Sequence, residues 1–492
     1  MTWDEAFEQL STDWKAVSPD PLRMRRLLDR IGHPEEKLHF IHIAGTNGKG
    51  SASAMLSEIL TRSGYRTGRY ISPHLASINE RWSVDGRDIE DERLAQLLEY
   101  LRPILLSMED RPTKFELLTA LGFLYFEQER CQAVVLEVGL GGRLDATNVI
   151  PVPDCALIMN IGLEHTEILG DTPEKIALEK GGIIKSGGDV VLYHQSGEVE
   201  NVVRRLCRER GAKLVVTEEE DFTFLGVSSL GTNASGRIER PLQRFHYKER
   251  KNLELSLLGD YQCRNACAVL DAVDALIQKG YHVPERSIRQ GLREVSWPGR
   301  FEVLTSDPLC IVDGAHNPNG AEALMESLRR YLSAYDIVFL MGVMADKDYN
   351  EMIRLAAPYA ARFIAQVPGG ERERALGEKT LARGIRQWFS GPVETAGSVQ
   401  EGLTLAWRAA KTPEGKTGAF AEVPEETAEK TTEEAIEEVM GEAAGEAPAG
   451  QAGSKEGRRR AAIVCFGSLY QVSEIRAAVK TLRDKTLQDG TQ

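Results

Sequence analysis

From Leu38 onward, short runs that are apolar on both faces alternate with longer segments in which apolar residues recur every three or four positions. The runs include HFIHIAG, GRYIS, AVVLEVG, CALIMNIG and DVVLYH, rich in Val and Ile and followed by glycine or polar turns. Buried parallel strands with crossover helices read this way. Between them, TPEKIALEKGGIIK opens with a threonine cap and a proline in its first turn, then keeps helical spacing. A second series follows SWPGRFEVL, where Pro298 and Gly299 interrupt regular structure: LCIVDGAHNP, YDIVFLMGVM, RFIAQVP and AAIVCFGSLY. Two open, mostly parallel α/β sheets are expected, divided near Ser296–Arg300.

Residues 411–460 break the alternation. They are rich in Glu, Ala and Gly, hold a single aromatic residue, and cannot bury enough apolar surface to offset the entropy of ordering them. A disordered acidic insertion ahead of the last strand is expected, with a transient helix near Thr431–Met440. The same stretch changes the reading of the charge. The chain carries −14 formally, but 411–450 hold eleven glutamates against three lysines, so −8 sits there and −6 on the rest. That mildly acidic remainder predicts no nucleic-acid partner.

At 492 residues the chain is too long for one core, in keeping with two domains. No window approaches the ~20 apolar residues that span a bilayer. The acidic, amphipathic start MTWDEAFEQL is unlike a targeting peptide, so a cytoplasmic protein without membrane contact is expected. No heptad or repeat argues against a monomer. Seven cysteines are scattered without a CxxC pair; Cys263 and Cys267, one helical turn apart beside Ala266 and Ala268, read as buried small residues.

The candidate chemistry begins in FIHIAGTNGKGSASAML, a strand running into a glycine-rich turn and a helix. GxxxxGK[ST] does not match, because Ile43 stands where its first glycine belongs. The shorter loop Gly45, Thr46, Asn47, Gly48, Lys49, Gly50, Ser51 keeps the physical parts. Its glycines let backbone N–H groups approach phosphate oxygens, and the helix start near Lys49 adds orphan donors. Lys49 supplies positive charge between β- and γ-phosphates, and the Ser51 hydroxyl suits Mg²⁺. The plain alternative is a strand–helix turn with an exposed lysine. The fold class predicted is therefore an N-terminal P-loop-type, mostly parallel sheet domain over 1–296, then a smaller C-terminal Rossmann-like α/β domain over 297–492.

Three later stretches add titratable groups at strand ends, where open α/β sheets bind ligands. LEVGLGGRLDATNV carries Glu137, NIGLEHTEILG carries His165, and ALEKGGIIK carries Glu179 and Lys180. With GTNGKGS, SPHL, FELLTA, WPGRFE and DGAHNP, in consistent order over nearly the whole chain, they resemble the folylpolyglutamate synthase/dihydrofolate synthase family, relatives of the Mur ligases.

The resemblance implies an ATP-dependent ligase that joins L-glutamate to a folate or dihydropteroate carboxylate through an acyl phosphate. It implies ATP and two Mg²⁺, with a monovalent cation as a further candidate. On it, Lys49 and the loop hold the phosphates, Ser51 and Glu137 ligate the first Mg²⁺, and His165 ligates the second. Lys180 matches a position carried as a carbamate, since an N-carboxylated lysine offers anionic oxygens to a cation and an ammonium does not. Arg300 would reach the γ-phosphate, with a structural salt bridge at the hinge as its alternative role. Asp313 would approach the ribose, His316 the phosphates, and Gln262 and Asn265 the adenine side; Tyr261 replaces the histidine usual before that glutamine. Ser72, His74, Arg81, Phe115, Arg143 and Asp145 fall where the family binds the pterin and p-aminobenzoate portions. Arg143 has the alternative of a surface residue on a mobile loop.

Two rival readings stand beside the resemblance. A Mur-type ligase of cell-wall synthesis would carry a separate N-terminal domain, whereas only 44 residues precede the loop. A nucleotide-dependent switch would explain the loop but not a second nucleotide-facing domain with its own Asp-His motif.

Overall fold

A computed structural model describes residues 3–11, 21–228, 231–232, 238–239, 241–369, 374–411 and 460–489. The expected acidic insertion, apart from its two end residues, lies outside the described residues.

The first sheet contains β1 (Phe40–Ala44), β2 (Thr67–Tyr70), β3 (Trp82–Val84), β4 (Arg87–Asp88), β5 (Ala133–Glu137), β6 (Cys155–Ile158), β7 (Asp189–Leu192) and β8 (Lys213–Val216), in the order β4-β3-β2-β5-β1-β6-β7-β8. Pairing from β2 to β8 is parallel, and β3 and β4 form an antiparallel edge. β1, β5 and β6 are buried at every residue, which is why they appear in sequence as unbroken apolar runs. Helix Lys49–Arg62 buries Ala52, Met55, Leu56, Ile59 and Leu60 against one face. Helix Lys114–Gln128 covers the other, its start fixed by a capping box of Thr113 and Glu116.

Three antiparallel strands, β9 (Phe222–Val227), β12 (Gln243–Tyr247) and β13 (Arg250–Leu255), form a small separate sheet, and β10 (Gly231–Thr232) pairs with β11 (Ile238–Glu239). The long helix Asp260–Gln278 follows. All seven cysteines are unpaired and buried, and Cys263 and Cys267 pack in the core on this helix.

The second sheet is β14 (Glu302–Ser306), β15 (Leu309–Val312), β16 (Tyr335–Met341), β17 (Ala360–Gln366), β18 (Val393–Ala396) and β19 (Arg460–Phe466), in the order β14-β15-β19-β16-β17-β18. Only β14 is antiparallel. The molecule is thus an α/β protein built on two large, mostly parallel sheets, of the class expected.

Register places the site. Ile43 pairs with Glu137 and Ala44 with Ile158, so the loops leaving β1, β5 and β6 emerge side by side. Val312 pairs with Cys465 and Met341 with Phe466, so the second sheet's loops also leave from one edge. The edges meet: Tyr261 donates to Asp313 Oδ2 (3.3 Å), and Asn319 packs against Gly162 so closely that a Cβ there would stand 2.4 Å from its Nδ2. Among the described residues no helix is long and apolar enough to cross a membrane.

Candidate active site

The glycine loop is pinned before any ligand arrives. Thr46 N and Asn47 N donate to Asn160 O (2.7 and 3.3 Å), and Thr46 Oγ1 donates to Gly162 O (3.0 Å). Gly48 has φ +88° and opens helix Lys49–Arg62. A side chain there would be strained and would stand 2.8 Å from Asn265 Oδ1. Gly50 lies against the Trp297 indole, where a Cβ would come within 2.7 Å. Lys49 Nζ donates to Gly45 O (2.7 Å) and Thr46 O (3.2 Å). Those carbonyls are weak partners for an ammonium, which leaves its charge available to an anion.

Glu137, Glu164, His165 and Lys180 gather around that lysine. Glu137 is 5% exposed, and among the described residues its carboxylate accepts no hydrogen bond. Burial pushes its pKa up to about 7, opposed by Lys49 and then Arg300. Lys180 is 1% exposed and donates to Gly45 O (2.8 Å) and Glu164 Oε1 (2.7 Å). Burial, then Lys49, pushes its pKa down to about 8. Burial works against ionising Glu164 as well, yet Lys49 and Lys180 outweigh it and hold the carboxyl at about 2. The pair is therefore charged on both sides at neutral pH. His165 sits at φ +46° at the start of a four-residue helix, with its pKa lowered by burial and by Lys347, Lys180 and Lys49.

A hydroxyl and a buried, unsatisfied carboxylate suit a hard, oxygen-preferring cation. Ser51 Oγ accepts from Gln262 Nε2 (3.1 Å), and Gln262 Oε1 in turn accepts from Asn265 Nδ2 (3.2 Å). No three His, Cys, Asp or Glu ligand atoms converge here within 4.8 Å among the described residues; the one such group is His33, Glu35 and Glu36, elsewhere. A cation at Ser51 and Glu137 would thus complete its shell with phosphate and water oxygens.

From the second domain, Asp313 is fully engaged in holding the hinge. Its oxygens accept from Phe301 N (2.7 Å), Ala315 N (2.8 Å) and Tyr261 Oη. His316 Nδ1 donates to Gly314 O (2.8 Å), and burial lowers its pKa to about 4. The ring is neutral, with Nε2 left as an acceptor. That atom suits a hydroxyl donor better than a phosphate oxygen. Arg300 makes no ion pair within 4 Å among the described residues and lines the interdomain cavity, so the salt-bridge alternative finds no partner.

That cavity, about 260 Å³, is bounded by Gly50, Arg69, Ser72, Glu137, Trp297 and Arg300, and on the far side by Ser473 and Arg476 of the last helix. Ser72 Oγ is buried without a hydrogen-bond partner. Arg81 Nε donates to His74 Nδ1 (3.0 Å), and the Phe115 ring packs so closely on Gly139 that a Cβ there would stand 2.3 Å from its Cζ. The glycine-loop pair is used differently. Asp145 accepts from Leu140 N (2.8 Å) and from the Thr147 amide and hydroxyl, capping a short 3-10 turn, while Arg143 pairs with Glu179 at 2.9 Å. Both are committed within the protein. Sequence reasoning missed Arg69, Glu164, Trp297 and Lys347. Glu164 adjoins His165 in LEHTE, and Arg69 is the one charged residue of the strand Thr67–Tyr70, which were the available signals.

A phosphate loop on one sheet facing a second α/β domain across a cleft defines a ligase of the Mur type. Residues 43–273 match the Mur ligase middle domain, and 299–416 match the Mur ligase glutamate ligase domain. The dihydrofolate synthase/folylpolyglutamate synthase of Bacillus subtilis is 35% identical over 345 residues, 69% of this chain and 78% of that protein. The chain belongs to the folylpolyglutamate synthase/dihydrofolate synthase family. Folylpolyglutamate synthase of Mycobacterium tuberculosis complexed with ADP superimposes with a TM-score of 0.77 at 27% identity, covering 97% of both chains. A folylpolyglutamate synthase complex with AMPPCP and folate does so at 0.70 and 27%, covering 97% of this chain and 99% of the other.

Proposed function

We propose that this protein ligates L-glutamate to a folate-type carboxylate, tetrahydrofolate or dihydropteroate, using ATP. The observation that carries the reading is Lys49 in a pinned phosphate loop, with Glu137 and Arg300 facing one cavity that opens between the domains. A carboxylate oxygen of the folate attacks the γ-phosphorus and ADP leaves. The glutamate amine then attacks the acyl carbon, phosphate departs and the nitrogen loses a proton. No enzyme nucleophile is needed. The protein's part is positioning and charge neutralisation.

Lys49 and the loop amides hold the β- and γ-phosphates. Arg300, unpaired and at the hinge, neutralises charge that develops on the transferring group. Ser51 and Glu137 would hold Mg²⁺ and His165 would hold a second ion; bound Mg²⁺ would offset phosphate charge. Gln262 and Asn265 fix the Ser51 hydroxyl. His74, Arg81, Ser72 and Phe115 face the folate, and His316 Nε2 accepts from a nucleotide hydroxyl. Lys180 is the candidate for the carbamate. A pKa near 8 leaves roughly a quarter of it neutral at pH 7.5, against about a thousandth of an ordinary lysine, and CO₂ reacts only with the neutral amine. Carbamylation would replace a cation beside Glu164 with an anion, so the resting ion pair has to open first. A cytoplasmic monomer remains part of the reading.

The test is purified protein with ATP, Mg²⁺ and labelled glutamate, offering dihydropteroate or tetrahydrofolate in turn. Label in the pterin product, with phosphate released only when all substrates are present, is expected. Equal phosphate release without glutamate would favour a nucleotide switch.

A further inference from the structure

Arg69 has no role in the reading above, yet it is the most unusual charge in the molecule. It sits in β2 with its guanidinium 5.1 Å from the Trp297 ring centroid, turned into the interdomain cavity. Its Nε is buried and has no hydrogen-bond partner. Among the described residues it makes no ion pair within 4 Å, although Asp88, Glu137, Glu58 and Glu80 stand within electrostatic reach. A half-buried guanidinium whose Nε is enclosed without an acceptor is costly, and folded proteins keep such groups where a ligand completes them.

Of the neighbouring charges, Asp88 and Glu137 line the cavity with Arg69 without pairing with it, and two others are held elsewhere. Glu80 accepts from the amides of Leu75, Ala76 and Ser77, and Arg476 pairs with Glu302 at 3.2 Å. Arg300, the other unpaired cation on the cavity, adjoins Gly314 at the phosphate side. That leaves Arg69 as a fork of donors with a stacked, restrained orientation. The buried, unpartnered Ser72 hydroxyl lines the same walls. A planar fork suits a carboxylate, not a neutral ring.

Resting on the proposed ligase reading, we propose that Arg69 binds a carboxylate of the incoming free glutamate and so selects a dicarboxylic amino acid, with Trp297 holding the guanidinium in place. The same chemistry is present on a glutamyl tail of the folate substrate, and the kinetics separate the two sources. In Arg69→Leu, the KM for glutamate rises roughly ten- to hundredfold, as loss of a charge-assisted hydrogen bond would give. The KM for ATP and for tetrahydrofolate stays within about twofold, as expected if the interactions lost serve only glutamate. Arg69→Lys, which keeps the charge and loses the fork, falls between.

An unchanged glutamate KM in Arg69→Leu overturns the proposal, and so does a change confined to the folate substrate, which would assign the site to the tail. If the unmodified protein incorporates no glutamate with either pterin, the ligase reading fails instead. An intact ATP KM in the variant shows that the protein is folded and that the result bears on Arg69.

Discussion

Replacing Glu164 by Gln in metal-free, CO₂-free buffer tests whether Lys180 rests as an ammonium. The perturbation removes the carboxylate 2.7 Å from a lysine amine that is 1% exposed and keeps the shape of the side chain. Two unit charges at that distance attract by about 6 kcal/mol at an effective dielectric of 20. Much of that offsets the desolvation already incurred, and breaking a buried pair costs about 3–5 kcal/mol. Because the Glu164 side chain is 18% exposed, we expect a cost at or just below the bottom of that range, about 2–3 kcal/mol. In calorimetry the first domain's transition should fall by about 3–5 °C. Adding Lys180→Met should return at least half of the loss, because no stranded charge remains. If the Lys180 amine instead rested neutral, removing the carboxylate would strand no charge and leave the transition temperature unchanged or higher. An unchanged or raised midpoint therefore refutes the resting ion pair.

Further outcomes follow from the same geometry. Lys49→Met should lower kcat/KM for ATP on the order of 100-fold or more, checked by steady-state kinetics, as the loss of a preorganised cation at a developing charge implies. Gly48→Ala imposes a side chain at φ +88° and 2.8 Å from Asn265 Oδ1; about 1–2 kcal/mol of strain is expected to weaken nucleotide binding roughly tenfold, measurable by calorimetric titration. His316 gives a pH test. Its folded pKa of about 4 lies below the ordinary imidazole value of 6.5, so the unfolded chain binds the proton first and stability falls as pH drops from 6.5 toward 4. His316→Asn should lose less stability over that window in calorimetry at pH 7 and pH 5.

How much of this was legible in the sequence follows from burial. β1, β5, β6, β16 and β19 are apolar over most of their length because both faces are covered, so each stood out as a run. The half-solvated strands were missed: β12 alternates buried and open positions as Gln-Arg-Phe-His-Tyr, and β8, at the sheet edge, buries only Val216. At the site, Glu137, Lys49 and Lys180 were found because each closes or follows a strand or helix with a clear pattern. Glu164 was not, because no periodicity says which of two adjacent polar residues turns toward Lys180. Asp145 looked like a ligand in a glycine loop, while Asp-x-Thr is also a capping pattern, and capping is how the carboxylate is used. Arg69 depends on Trp297, more than two hundred positions away, and no local signal links them.

The measurement that bears most directly on the central claim uses folate labelled with ¹⁸O in both oxygens of the reacting carboxylate. Acyl-phosphate chemistry carries one labelled oxygen into each phosphate released, only when ATP, Mg²⁺, folate and glutamate are all present. Phosphate free of label alongside normal product would contradict it, because the carboxylate would then never have been phosphorylated.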